Sequence, residues 1–487
     1  MRQQFRDTDF LRFLICAPFF CMLGLLIIES GLAALTTWLI IQAGQDLANE
    51  DFLIADFGWI VVAQSSAYVV GALSWIFAEQ AGFGAFGRYM LRFAKDNKHQ
   101  TRVFANKDER ERVEPFLTNE TFHIFFELVY ELESDLKLFF NLLFNTIVLG
   151  IAIDSGLPII YGLVFVALLT FQWILRNWVA QRYAQNQRAT NRMTAHTYTA
   201  WDNIVSGNSY NFRIWHGGFK ERLRSALRAQ INAIMAREGI AAANGIFALL
   251  IVFAYLAYVA GLNVSNTALL IGLAATLPRQ IELSHDLHGL ATGLNDLLAI
   301  WTRIKGASNA MRPTPDANFD TRIRFDKLVL KLTDHLPGTP ASALPCQSLD
   351  ELLARMHQQP TGRILVRGGN GSGKSTLLAA VKAQLGAQAY YWPTTDQLAF
   401  VMNKGLSNAD LQDDAADDGE AVGKHSSFSS GEQQLKSLRE IVKNTHAKVY
   451  LLDEWDANLD AKNGTEAQQL VDLLAQRALV LEISHRV

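Results

Sequence analysis

From Gly239 to Gly261 the chain runs without a single charged side chain. No other kind of feature limits the fold as much. A bilayer core is spanned by about 20 apolar residues of helix, and hydrocarbon offers the backbone no hydrogen-bond partner except itself. Six stretches are predicted to cross, at roughly 11–42, 54–80, 134–153, 157–178, 239–261 and 265–289, the last the most interrupted by polar residues. The segment from 11 onward is too long for a signal peptide and has no small-residue cleavage site. Hydrophobic residues make up 50% of the 487 positions, and they crowd roughly the first 300.

An even number of crossings puts both termini on one side, and basic residues say which side. Arg2, Arg6 and Arg12 precede the first stretch. Arg88, Arg92, Lys95, Lys98, Arg102, Lys107, Arg110 and Arg112 fill the connection between the second and third. Arg176, Arg182, Arg188 and Arg192 lie in or beside the next connection on that side. The opposite loops, near 43–53, 154–157 and 262–266, carry no Lys or Arg. Both termini are therefore expected in the cytoplasm. The two inner connections, 81–133 and 179–238, are long and rich in helix formers, with interruptions near Pro115-Phe116 and Gly207-Asn208. They read as paired helical arms reaching some 40 Å from the membrane; two independent soluble insertions are the alternative.

Composition shifts after Arg303-Ile304. Residues 306–320 read as a linker, and Phe325–Leu332 as a strand with Leu328, Leu330 and Leu332 on one face. Next comes Gly-Gly-Asn-Gly-Ser-Gly-Lys-Ser-Thr at 368–376, a fit to G-x-x-x-x-G-K-[ST]. The strand Ile364–Val366 precedes it and the helix-like run 377–381 follows, which is the context this motif requires. Glycines there turn backbone N–H groups onto phosphate oxygens, and a helix N-terminus adds its positive end. Gly368, Asn370, Gly371, Ser372, Gly373, Lys374, Ser375 and Thr376 form the loop, with Lys374 reaching phosphates and Ser375 a Mg²⁺ ligand. The apolar run 448–452 ends in Asp453 and Glu454, a pair suited to holding Mg²⁺ and polarising an attacking water. His485 follows another apolar strand, where a γ-phosphate sensor would fall.

These residues together resemble the ATP-binding cassette transporter family, in particular its half-transporter exporters. The resemblance covers nearly the whole chain. It implies a membrane all-α six-helix exporter domain at 1–305, a linker at 306–321, and an α/β P-loop nucleotide-binding domain at 322–487. Within it, Phe428-Ser429-Ser430-Gly431-Glu432 is similar to the signature motif, Ala457–Asp460 to the D-loop, Asp453 to the Mg²⁺-site acid, Glu454 to the catalytic carboxylate and His485 to the switch histidine. ATP and Mg²⁺ are the implied cofactors. Because the family's signature completes a second cassette's ATP site, a dimer is implied: a homodimer, with a heterodimer as alternative. A bacterial inner (cytoplasmic) membrane is the expected location.

Departures accompany the resemblance. No Phe, Tyr or Trp lies in 328–335, where an adenine-stacking aromatic belongs. The Q-loop glutamine would fall near Thr394, and the nearest glutamine is Gln397. Only 56 positions separate Gly373 from Ser429, so the helical subdomain is short, and it carries an acid run (Asp410 to Glu420) that reads as a solvated loop.

A net charge of −3 points to no nucleic-acid partner, and Cys16, Cys21 and Cys346 make neither a disulfide framework nor a metal pattern. For cargo the informative residues are Glu29, Arg279, Gln280, Glu282, His285, Asp286 and His288. Ionisable groups at membrane depth usually face water or each other. They read as a polar translocation cavity, as a metal site, or as the end of a shifted helix. A polar cavity fits a peptide or peptide-derived cargo; a lipid or drug flippase and a weakly hydrolysing regulatory half remain the alternatives.

Overall fold

The computed structural model describes residues 6–49, 54–98, 100–104, 106–316, 319–333, 342–393, 398, 400, 430–457 and 459–484. The chain is mostly helical, with a small mixed sheet towards its C-terminal end. It divides into two units, Met1–Met90 with Phe116–Asn309, and Leu91–Pro115 with Ala310–Val487.

The first unit is built on α1 (Asp7–Leu11), α2 (Ala17–Ala48), most of α3 (Ile54–Asn97), α6 (Glu120–Ala152), α7 (Leu157–Thr197), α8 (Ala200–Val205), α9 (Ser209–Leu262) and α10 (Thr267–Ala310). Five helices among the described residues are long and apolar enough to cross a membrane, over Ala17–Leu47, Ile54–Asn97, Asp108–Ala152, Leu157–Thr197 and Ser209–Leu262. In the most apolar stretches of α3 and α9 only 22% of residues are buried within the protein. Trp59, Val62, Ile246 and Leu250 face outward. An apolar exterior of that extent calls for apolar surroundings.

The sixth expected crossing is helical, as α10, but it falls short of the apolar length the other five reach. Pro278, Arg279, Gln280, Glu282, His285, Asp286 and His288 break its run. It packs nonetheless into a shared core, where Leu273, Leu283 and Leu287 meet Ile41, Leu149, Leu157, Leu168 and Val252. The long inner connections are helical as expected. At 1.5 Å per residue the 54 residues of α9 extend about 80 Å. The break expected near Gly207 is there, with Gly207 at φ 73 between α8 and α9, whereas Pro115 and Phe116 lie inside α5 (Lys107–Leu117) and the chain leaves the helix after Leu117 and, earlier, after Asn97 and Phe104.

The second unit holds the sheet. Its order is β2-β1-β3-β6-β5-β4, with β1 (Leu328–Thr333), β2 (Ser342–Ala343), β3 (Gly362–Gly368), β4 (Ala389–Trp392), β5 (Val449–Asp453) and β6 (Leu479–Ile483). β3, β6, β5 and β4 run parallel, and β1 is antiparallel to both its neighbours. The expected strand at Phe325 starts later: Phe325–Lys327 is a 3₁₀ turn, and Leu330 is the buried centre of β1. Alternation along β5 and β6 feeds two layers. Val449, Leu451, Leu479 and Leu481 join α11 (Leu349–Gln358) and α12 (Lys374–Leu385) in one core. Tyr450, Leu452 and Val480 join α13 (Ser430–Asn444) and α14 (Ala461–Arg477) in the other. Each fully buried Leu or Val contributes about 1.5–3 kcal/mol. Local caps set the helix starts. Ser348 accepts from Glu351 N–H at 3.2 Å for α11, and Asp460 from Asn463 N–H at 2.7 Å for α14.

The expected linker is partly helix, because α10 continues to Ala310. Beyond it the chain is held to the 91–115 stretch of the same unit. Asn97 Nδ2 donates to Met311 O at 3.3 Å, Thr314 N–H to Glu109 Oε1 at 2.6 Å, and Arg102 pairs with Asp320 at 3.3 Å. The short helix α4 (Thr101–Phe104) packs on α12, and Phe104 meets the Tyr391 ring edge-on at 6.1 Å.

Candidate functional site

Parallel strands present their C-terminal ends on one side of a sheet, where open α/β sheets bind ligands. Here β3 ends at Gly368, β5 at Asp453 and β6 at Ile483. The turn after β3 needs glycine at two points, Gly371 at φ 78 and Gly373 at φ 88. At Gly373 the need is also steric: a Cβ there would stand 2.3 Å from Arg322 O. Arg324 N–H donates to Ser372 O at 3.1 Å, so the segment before β1 braces the turn. Lys374 Nζ donates to Gly368 O at 2.8 Å and to Gly369 O at 3.4 Å, folding back over the loop. Asn370 is exposed, Thr376 sits half-buried in the first turn of α12, and Ser372 is buried with no partner for its Oγ among the described residues.

Ser375 and Asp453 meet. Ser375 Oγ donates to Asp453 Oδ1 at 3.1 Å, and Asp453 is only 4% exposed at the end of β5. Burial, with the Asp453 carboxylate beside it, holds the Tyr391 phenol above its ordinary range. A hydroxyl facing a carboxylate, at the mouth of a glycine turn with a lysine folded over it, is a donor set suited to a divalent ion and phosphate oxygens. The loop, its lysine and this pair thus fit a nucleoside triphosphate with Mg²⁺. Glu454 follows in the left-handed region at φ 52, and its N–H donates to Ile483 O at 2.9 Å.

Of the expected signature residues, Ser430 opens α13, Gly431 is buried and Glu432 is exposed in the first turn. Ser429, Gln397 and His485 lie outside the described residues, as do Phe428, Thr394, Asn458 and the acid run.

The sequence reading passed over a charged cluster under the site. Arg363 on β3 grips Glu482 on β6, with Nε–Oε1 at 2.8 Å, Nη2–Oε1 at 2.6 Å and Nη2–Oε2 at 2.8 Å. Arg363 Nη1 also donates to Asp472 Oδ1 at 2.6 Å. Burial pushes the Glu482 carboxyl up, and the guanidinium opposes that shift. The signal was present: a charge inside an apolar strand must find a partner.

In the helical unit, the ionisable residues of α10 meet α6. Arg279 donates to Asn145 Oδ1 at 3.2 Å, to Asn141 Oδ1 at 2.6 Å and to Glu282 Oε2 at 2.5 Å. Asn141 Nδ2 donates to Asp286 Oδ2 at 2.5 Å, and Thr37 Oγ1 to Asn145 Oδ1 at 2.6 Å. One turn further along α6, Lys137 pairs with Glu29 at 2.7 Å, and Ser74 Oγ donates to Glu133 at 3.4 Å. Glu133, Lys137, Asn141 and Asn145 thus form a polar stripe at i, i+4 spacing, about 18 Å long. Not every group read as lining a polar cavity is open to solvent. Asp286 is buried and Arg279 is largely enclosed by its partners, whereas Glu282 and His285 are exposed. Among the described residues no three His, Cys, Asp or Glu side chains stand together as a metal site.

No model of a known protein family matches the chain, and no curated protein does.

Proposed function

We propose that this chain is a half-transporter of the ATP-binding cassette kind, an exporter that uses ATP hydrolysis to move a peptide or peptide-derived cargo out of the cytoplasm. The observation that carries the reading is the Ser375–Asp453 contact of 3.1 Å beside a glycine turn and Lys374. Five helices long and apolar enough to cross a membrane, in the same chain, support the transport part of the reading.

In this reading the 368–376 backbone cradles the phosphates and Lys374 turns from Gly368 O to the terminal phosphates. Ser375 and Asp453 would hold Mg²⁺, which when bound neutralises charge developing on the phosphates. Glu454 orients and deprotonates the attacking water, and His485 contacts the γ-phosphate. Ser429, Ser430, Gly431 and Glu432 close the site of a second copy, so the working unit is a homodimer. An exposed apolar tip supports a partner: Tyr198 and Trp201 at α8 are 82% and 74% exposed. α10 serves as the sixth crossing, its Arg279 and Asp286 met by Asn141 and Asn145 of α6. That stripe supports a cargo with hydrogen-bonding groups over a purely apolar lipid.

Purified protein in nanodiscs tests the reading. Wild type should hydrolyse ATP, Glu454→Gln should bind it without turnover, and Lys374→Ala should bind it weakly. An active Glu454→Gln protein would sink the assignment. Stimulation by lipid rather than peptide would move the cargo to the flippase alternative.

A further inference from the structure

Glu454 is the one non-glycine residue with positive φ among the described residues, at 52°. That conformation is strained for a residue with a Cβ. It persists only where the surroundings hold it. One hold is the Glu454 N–H donating to Ile483 O at 2.9 Å. A second acts through the next residue. Trp455 is 3% exposed, and its indole Nε1–H donates to Glu482 Oε2 at 2.9 Å. The Trp455 carbonyl accepts from Gln434 Nε2 on α13 at 2.7 Å. Trp455 is therefore gripped at both ends, by side chain and by backbone.

The grip has a rigid base. Glu482 is 3% exposed, and the Arg363 guanidinium fixes both of its oxygens. Arg363 lies on β3, the strand that runs into the glycine turn, and is tied in turn to Asp472 on α14. A buried indole N–H needs an acceptor; a buried carboxylate needs a cation. Neither requirement explains why an indole stands here at all, since an apolar ring would fill the space at no polar cost. What the hydrogen bond adds is orientation of the segment that starts at Glu454.

We propose that Glu482, anchored by Arg363, is a positioning residue for ATP hydrolysis: it holds the Trp455 indole and so fixes the backbone from which the Glu454 carboxylate projects. The proposal rests on the reading of the chain as an ATP hydrolase. Gln434, near the start of the helix that carries Ser430 and Gly431, makes the same segment responsive to that helix.

Trp455→Phe keeps the ring and removes the N–H. The expected result is a fall in kcat of about tenfold with ATP affinity within about twofold of wild type, since a small misplacement of a reacting group costs rate, not binding. Hydrogen–deuterium exchange without nucleotide gives a readout apart from activity. Peptides covering 449–457 should exchange faster in Trp455→Phe, while those covering α12 stay unchanged. If Trp455→Phe does not fold, Gln434→Met removes the other tether, and a lowered kcat with unchanged affinity is again expected. An unchanged kcat in the folded variant overturns the positioning role, as does a fall matched by equal losses in affinity and melting temperature. A wild type that does not hydrolyse ATP, or whose turnover is unaffected by Lys374→Ala, overturns the hydrolase reading itself.

Discussion

Ser375 Oγ donates to Asp453 Oδ1 at 3.1 Å although β3, the strand that leads into the turn before Ser375, and β5, which Asp453 ends, are not neighbours in the sheet. β6 lies between them, and the first turn of α12 leans across its C-terminal end to make the contact. Residues 78 positions apart thus face each other where a divalent ion would be held. The contact predicts a metal-dependent phenotype. Ser375→Ala should bind ATP in EDTA about as well as wild type, and lose about tenfold of the affinity that Mg²⁺ adds, equivalent to about 1.4 kcal/mol. Titration with a fluorescent nucleotide, with and without Mg²⁺, measures both. Equal Mg²⁺ dependence in the two proteins would remove Ser375 from the ion site.

Gly373→Ala should be worse than its size suggests. The left-handed backbone costs alanine roughly 1–2 kcal/mol, and the new methyl would meet Arg322 O at 2.3 Å. Backbone cannot swing aside as a side chain can, so the loop or the Arg322–Arg324 segment must move. Nucleotide affinity should drop by at least about tenfold, with a lowered melting temperature. Asn370→Ala, on an exposed side chain of the same loop, should leave the melting temperature near wild type.

The Arg363–Glu482 pair should show the asymmetry of buried ions. Arg363→Leu alone leaves a carboxylate without its main partner and should destabilise by about 3–5 kcal/mol. Adding Glu482→Leu should recover part of that loss in chemical denaturation, because no unpaired charge is then left at this position, although the Trp455 N–H loses its acceptor. Recovery of stability without recovery of ATP turnover would also separate packing from positioning at this site.

Single cysteines on a background lacking Cys16, Cys21 and Cys346 should map α10. Positions 282 and 285 should react with a water-soluble thiol reagent, and position 286 should be protected, because Asp286 is buried against Asn141. Asp286→Ala should then impair export while basal ATP hydrolysis stays near wild type. Uniform labelling at all three positions would mean that α10 does not pack on α6 as described.

A second copy is the last expectation. Mass measurement in nanodiscs should give twice the 54.3 kDa of one chain. Replacing Trp201 and Tyr198 at the exposed α8 tip with Ser should weaken coupling of cargo to hydrolysis without unfolding the chain. A fully active monomer would contradict the shared ATP site.

Periodicity and spacing were enough for the local features. The apolar runs of about 20 residues point to helix, the element that satisfies its backbone within one segment. Gly371 and Gly373 stand where the turn takes positive φ, a conformation their lack of Cβ permits. Asp453 ends an apolar strand in the sequence and in the fold. What the chain could not announce were the meetings between distant segments. Nothing in the sequence joins Glu482 to Arg363; β3 and β6, lying side by side in register, do. Arg279 read as a cavity residue until Asn141 and Asn145, on α6, were seen to enclose it. The 91–115 stretch read as an arm of the helical half, and its contacts with Met311, Thr314 and Asp320 put it in the unit of the sheet. The reason is physical. Helix formation and turn conformation are settled by neighbours a few residues away. The partner of a buried charge is settled by which strands and helices pack together, and one sequence without its fold does not contain that distance.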